Sequence, residues 1–309
     1  MNHKESTFSR DFDFAYKKVH AKGVRRATLG RGLIALTDKF GIMRTRTKCD
    51  LVQESYSELD NPDSVYTAST KVFLRLAEHL NAEHVLISLA LVEGIESALK
   101  NLPPKLLITC SCLTVISYRY SFLKLLLPCV NRGCGLRINL FADDKEEAID
   151  SAIFDSELVK AAPFLEICAE CRISDGQLPY LKACWIFISF APQISEEGLI
   201  RLIMQWLDGK RRINRLYIGC MLALTEDMVY KVRRCELIPE SELNKTPFLK
   251  YFMEKHFESG FRVGVRNKAG NLILVNVSEG SCKIADPYSE DDPPLSQCSI
   301  DYRDDDHDD

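Results

Sequence analysis

Cys184-Trp185-Ile186-Phe187-Ile188, then Ser195-Glu196-Glu197-Gly198-Leu199-Ile200-Arg201-Leu202-Ile203-Met204-Gln205-Trp206-Leu207-Asp208-Gly209, then Leu216-Tyr217-Ile218 is the stretch that decides the fold. The outer runs are short, apolar and rich in β-branched and aromatic residues, as strands are. The middle segment predicts a helix. Ser195 stands at the capping position, Glu196 and Glu197 put negative charge in the first turn, and Leu199, Ile200, Ile203, Trp206 and Leu207 form one apolar stripe. Arg201, Gln205 and Asp208 face away, Gly209 suits a left-handed C-terminal position, and Lys210, Arg211 and Arg212 follow at the negative end of the dipole. Two strands joined by a crossover helix must lie parallel.

The same alternation extends outward. Apolar runs recur at 85–89, 106–110, 136–140 and 164–167, about every 20 to 30 residues, a spacing shared by leucine-rich-type repeats and strand-helix units in general. The lead-ins Leu178-x-x-Leu181-x-x-Cys184-x-Ile186 and Ile213-x-x-Leu216-x-Ile218 fit such repeats, without the asparagine that usually closes one. The expected fold is therefore α/β, with irregular leucine-rich-repeat-like strand-helix units on a mainly parallel sheet. Residues 147–160 predict a further helix, as do 247–257. A C-terminal β-hairpin is expected where Phe261, Val263 and Val265 alternate with Arg262, Gly264 and Arg266, and 267–271 turn into Leu272-Ile273-Leu274-Val275.

Four regions result. Residues 1–50 form a basic segment, expected to be poorly ordered or helical; 51–80 a polar connector with a helix over 69–80; 81–285 the repeat domain; 286–309 an acidic, disordered tail. At 46% hydrophobic and 27% charged the chain has material for a sizeable core, and its net charge of -4 selects no class of partner. The start lacks a secretory apolar core and no run of about 18 apolar residues occurs. With twelve cysteines, that points to a reducing intracellular compartment, cytoplasm or nucleus, where thiols serve as small hydrophobes. The sequon Asn276-Val277-Ser278 is then idle.

Strand alternation separates two faces. Val85, Ile87, Leu89, Ile108, Cys110, Leu136, Ile138, Leu140, Leu165, Ile167, Cys184, Ile186, Ile188, Leu216 and Ile218 fall on one, the side expected beneath the helices. Arg137, Asn139, Glu166, Trp185, Phe187, Arg215 and Tyr217 fall on the other and are the candidate partner-binding residues, since aromatics mixed with arginine are the chemistry of binding hot spots. The bland alternative is that another element covers this face and makes Trp185 and Phe187 core.

No catalytic constellation is evident. Cys168-Ala169-Glu170-Cys171 has zinc and thioredoxin spacing but no second pair, and in an extended segment its thiols point to opposite faces. Gly30-Arg31-Gly32 reads as a turn, not a phosphate loop. The expectation is a non-enzymatic chain with no cofactor and no metal. Nucleic-acid binding through the basic stretch 17–48 is an alternative, with few interleaved aromatics beyond Phe12, Phe14, Tyr16 and Phe40.

The string Leu202-Ile203-Met204-Gln205-Trp206-Leu207-Asp208-Gly209 followed by Ile213-x-x-Leu216-Tyr217-Ile218 resembles the type-2 F-box-associated domain of nematode F-box proteins, where a Trp-x-x-Gly helix end leads into a Leu-rich strand. The similarity is best over 145–220 and looser over 80–285. It implies a ubiquitin-ligase adaptor whose F-box docks on the linker subunit of a cullin-RING ligase while the associated domain captures an unknown protein target. Residues 1–50 depart from this pattern: they contain no proline and no recognisable F-box. An isolated interaction scaffold without ligase docking is the other form this expectation takes.

Overall fold

The computed structural model describes residues 24–30, 33–38, 82–89, 108–117, 120–140, 148–221, 225–257 and 259–289. The expected helix over 69–80, the connector before it, most of the basic stretch 17–48 and the acidic run from 290 onward lie outside them. The architecture is a mixed α/β sheet, not closed, with helices packed on it.

The strands are β1 (Val24–Gly30), β2 (Leu33–Asp38), β3 (Ala82–Leu89), β4 (Cys110–Ser117), β5 (Gly135–Leu140), β6 (Phe164–Glu170), β7 (Trp185–Phe190), β8 (Arg215–Gly219), β9 (Glu236–Pro239), β10 (Phe261–Arg266), β11 (Leu272–Ser278) and β12 (Ser281–Ala285). They lie in the order β2-β1-β3-β4-β5-β6-β7-β8-β12-β11-β10-β9. From β3 to β8 each strand pairs in parallel with the next one in sequence. Beyond β8 the direction alternates, since β12 pairs antiparallel with β8 and with β11, and β10 with β11 and β9. At the far end β1 runs parallel to β3 and antiparallel to β2, so 24–30 and 33–38 are extended where a disordered or helical segment is expected.

The helices are α1 (Tyr120–Leu126), α2 (Glu157–Ala161), α3 (Glu196–Leu207), α4 (Asp227–Tyr230), α5 (Glu240–Leu243) and α6 (Pro247–His256). In α3 the Ser195 hydroxyl accepts from the Glu197 amide. Its stripe is buried at Leu199, Leu202, Ile203 and Trp206, with Ile200 and Leu207 half-buried at the margins. The helix closes as expected: Gly209 has φ +68°, its amide donates to the Trp206 carbonyl and that of Lys210 to Gln205, which satisfies two terminal carbonyls. Arg211 turns inward instead of staying on the surface. It donates to the carbonyls of Leu178 and Ala183, and burial pulls its guanidinium down to about 10.

Two expectations need correction. The helix over 147–160 is broken: Ile149 bridges to Cys171, a short turn of 3-10 helix spans Ser151–Asp155, and only Glu157–Ala161 is α-helical. Asp150 caps the first of these turns and Ser156 the second, so side-chain capping restarts the chain twice. The second strand is Cys110–Ser117 and not 106–110, and Leu113 and Val115 supply its buried residues on the helix side. The rich run of β-branched and apolar residues after Cys112 outweighs the leucines before it.

One face of the sheet, called the back, carries Val85, Leu113, Leu136, Leu165, Ile186, Leu216, Ile284, Val275 and Val263, which follow one another across the ladder and are all buried. Leu123 and Leu126 of α1, Leu158 and Val159 of α2, and the α3 stripe join them in one apolar cluster. Each fully buried leucine or isoleucine contributes about 1.5–3 kcal/mol, so this cluster dominates stability. The opposite face, the front, has its own smaller cluster over β9–β12, where Leu249, Phe252 and Met253 of α6 pack with Leu243 on Leu272, Leu274 and Ala285.

Candidate functional site

The register brings one row of front-face residues into line: Thr114, Arg137, Glu166, Phe187, Tyr217, Lys283, Asn276 and Arg262 occupy successive strands from β4 to β10. A second row, two residues earlier along β7, places Trp185 beside Arg215 and Arg215 beside Ala285. Thus the sheet gathers Arg137, Glu166, Trp185, Phe187, Arg215 and Tyr217 on one surface, and Asn139, beside Cys168, extends it by one row. All seven candidate residues are half-buried.

The middle of the row is a continuous ladder of groups stacked side by side. Trp185 and Phe187 rings lie 6.4 Å apart at 20°, Phe187 and Tyr217 4.8 Å apart at 16°, and the Lys283 ammonium stands 5.3 Å from the Tyr217 ring centre. The rings therefore use their faces on one another and on a cation, and present edges outward. At one end the Arg137 Nε donates to Glu166 Oε2 at 2.6 Å, with both side chains less than one-fifth exposed. Such a shielded, charge-assisted bond is among the stronger polar contacts available. The Cys168 thiol, in reach of Glu166 Oε1, is pushed up to about 11, first by burial and then by the neighbouring carboxylate.

This strip is bounded on both sides. Towards β4 the front face is sealed: Thr114 is buried and its hydroxyl pairs with buried His84 Nε2 at 2.8 Å, and Cys112 and Ile116 are buried too. Towards β10, Arg262 is held by Glu240 and Asn276 lies wholly beneath the surface. The Asn276 amide is thus inaccessible to a glycan in the folded chain. Below the strip, Gly135 leaves room for Phe164. A Cβ there would fall 1.9 Å from that ring, so only glycine lets the aromatic lie across β5.

Sequence reasoning missed Lys283, because β12 was not recognised. A signal exists. Ser278 pairs with Ser281 across Glu279-Gly280, a two-residue turn with Gly280 at φ +75°, and Lys283 sits between buried Cys282 and Ile284. It also missed α6 as the cover of the neighbouring front face.

Several of the described cysteines offer little nucleophilic chemistry. Cys168 lies on the strip while Cys171 is in the back core, pushed up to about 12 by burial. Cys110 and Cys134 approach to 3.4 Å, and the shared hydrogen bond together with burial raises the Cys134 thiol far above its usual range, so it supplies no ready thiolate. Among the described residues no three His, Cys, Asp or Glu side chains gather as metal ligands, and no helix is long and apolar enough to cross a membrane. Compared with known proteins, the chain matches no protein family, no curated protein and no solved structure.

Proposed function

We propose that this chain is a non-enzymatic protein-recognition scaffold whose partner settles on the front strip between the sealed flanks. Parallel strands are as a rule covered on both faces. Across β5–β8 the back is packed solid while the front keeps two arginines, a glutamate and three aromatics in partial contact with solvent, and this imbalance is the observation that carries the reading. A polypeptide suits the strip better than a nucleobase does: stacking needs an open ring face, and the Trp185–Phe187–Tyr217–Lys283 ladder turns its faces inward. That geometry weighs against the nucleic-acid reading on this surface.

Successive parallel strands with their helices on one side agree with irregular leucine-rich-repeat-like units closed by a C-terminal hairpin, and the α3–β8 segment carries the likeness to the type-2 F-box-associated domain. On that likeness the strip is the target-binding part of a ubiquitin-ligase adaptor. Partner capture by the intact chain, read by crosslinking and mass spectrometry, tests the scaffold. Trp185→Ala and Tyr217→Ala are expected to lose a specific partner at least tenfold relative to wild type. Equal capture by all three chains would remove the strip from consideration. Binding of the full chain to the ligase linker subunit separately tests adaptor docking, and its absence leaves a free-standing scaffold.

A further inference from the structure

We propose that Cys110 and Cys134 are the two halves of an oxidation-driven disulfide, a covalent latch across the β4–α1–β5 crossover that closes on reaction with hydrogen peroxide. Both thiols belong to the buried back cluster, so the latch is independent of any partner on the strip. Contact supplies the first argument. The two Sγ atoms lie 3.4 Å apart although 24 residues separate them along the chain. Closeness in sequence is no guide here: Cys168 and Cys171, three apart, lie on the strip and in the back core.

The backbone supplies the second. Between the bridge Ile108↔Val130 and the pair Cys112↔Gly135 there are four steps on the β4 side and five on the β5 side. The extra residue is taken up at Asn131-Arg132-Gly133, where Gly133 has φ +80°, and it turns Cys134 to the side of Cys110. In the Cys112↔Gly135 register, Cys134 stands one residue past direct opposition to Cys110. Strands about 4.8 Å apart that rise about 3.3 Å per residue put such diagonal Cα atoms about 6 Å apart. A disulfide spans about 4.4–6.8 Å between Cα atoms, so the bond forms without a shift of strands.

Access comes through the turn. Cys134 directly follows the exposed Arg132 and Gly133, and the turn is pinned by Asn131, whose Oδ1 accepts from the Cys110 amide at 2.8 Å. While the turn is closed, the shared hydrogen bond and burial keep Cys134 protonated. Local opening admits solvent, and the Cys134 thiolate then attacks the peroxide. The O–O bond breaks, which leaves a sulfenic acid on Cys134 and releases water. On reclosure the Cys110 sulfur displaces the sulfenic oxygen: the S–S bond forms, the S–O bond breaks, and the Cys110 proton leaves in a second water. Two thiols have thereby given two electrons to one peroxide.

Hydrogen peroxide added to the reduced full chain, followed by alkylation and non-reducing peptide mapping, tests the latch. The expected product joins the tryptic peptides 106–119 and 133–137 through Cys110 and Cys134, and dithiothreitol reverses it. Fragment ions from the wild-type chain assign the bridged sulfur, so the result does not depend on a variant that folds. Cys112→Ala should keep the link and Cys134→Ala should lose it. Asn131→Ala, which frees the turn, should form it several-fold faster. Closing a loop of this length should also raise the wild-type Tm by about 5 °C on oxidation. A bridge through Cys112 or Cys129, free Cys110 and Cys134 after other thiols have reacted, or an Asn131→Ala rate equal to wild type each overturns the proposal.

Discussion

Two stretches of the same front face of one sheet end differently. Over β9–β12 the front carries the aliphatic patch Leu272, Leu274 and Ala285, and α6 lies across it through Leu249, Phe252 and Met253. Over β5–β8 the front carries Arg137, Glu166, Phe187 and Tyr217, which remain partly exposed. The lesson is that a sheet face is sealed where its side chains are compact and aliphatic, and is left partly open where they are long, charged or aromatic and satisfy each other laterally. The second arrangement retains stability in the pairs themselves while keeping surface available to a partner.

The sharpest way to break this contrast is to cut both regions. Leu274→Ala, beneath α6, should cost about 2–5 kcal/mol in chemical denaturation, because a buried leucine leaves a cavity. Tyr217→Ala should cost only about 1–2 kcal/mol, from lost ring contacts and partial burial. Its neighbour Leu216, on the back of the same strand, should behave like Leu274 when replaced by alanine. A Tyr217→Ala loss as large as that of Leu216→Ala would mean the strip is core.

Glu166→Gln leaves Arg137 without its carboxylate in a shielded position and is expected to cost about 1–3 kcal/mol. It also removes one of the influences that raise Cys168. Alkylation of Cys168, followed by mass spectrometry across pH, should shift to lower pH in this variant. An unchanged profile would show that burial alone sets the thiol.

The smallest effect is expected at Glu196, whose carboxyl is held below its usual range first by the Lys231 ammonium and then by Thr225. A group depressed on folding stabilises above its unfolded pKa, and that contribution fades as pH falls through the folded value. The difference in denaturation midpoint between wild type and Glu196→Gln should therefore be present at neutral pH and vanish in acid. Because the Lys231 side of this pair is largely exposed, high salt should reduce it as well.

The helix α3 and the strands on either side of it were legible because cap, stripe and terminal glycine agree over a single segment. The front and back faces of β5–β8 were legible for a similar reason: strict alternation gives the partition directly. Elsewhere local signals competed. Around β4 apolar residues fill both faces, Cys112 and Thr114 being as buried as Leu113 and Val115, so alternation cannot place the strand. At 147–160 the helix pattern was present but Asp150 and Ser156 interrupted it with their own backbone bonds. Lys283 and the α6 cover depend on which strands meet across long separations in sequence, such as β8 with β12, and no local pattern contains that pairing.

The strand β9 closes one end of this open sheet, and its composition bears on self-association. An uncovered strand edge is a template on which a second chain can add. Here the edge is only four residues long and ends at Pro239, which has no amide proton to donate, while Glu236 at its other end pairs with Arg266 and keeps charge at the rim. Filament growth from this side meets a short, charged and donor-poor margin, so the sheet can remain unclosed in solution without recruiting copies of itself there.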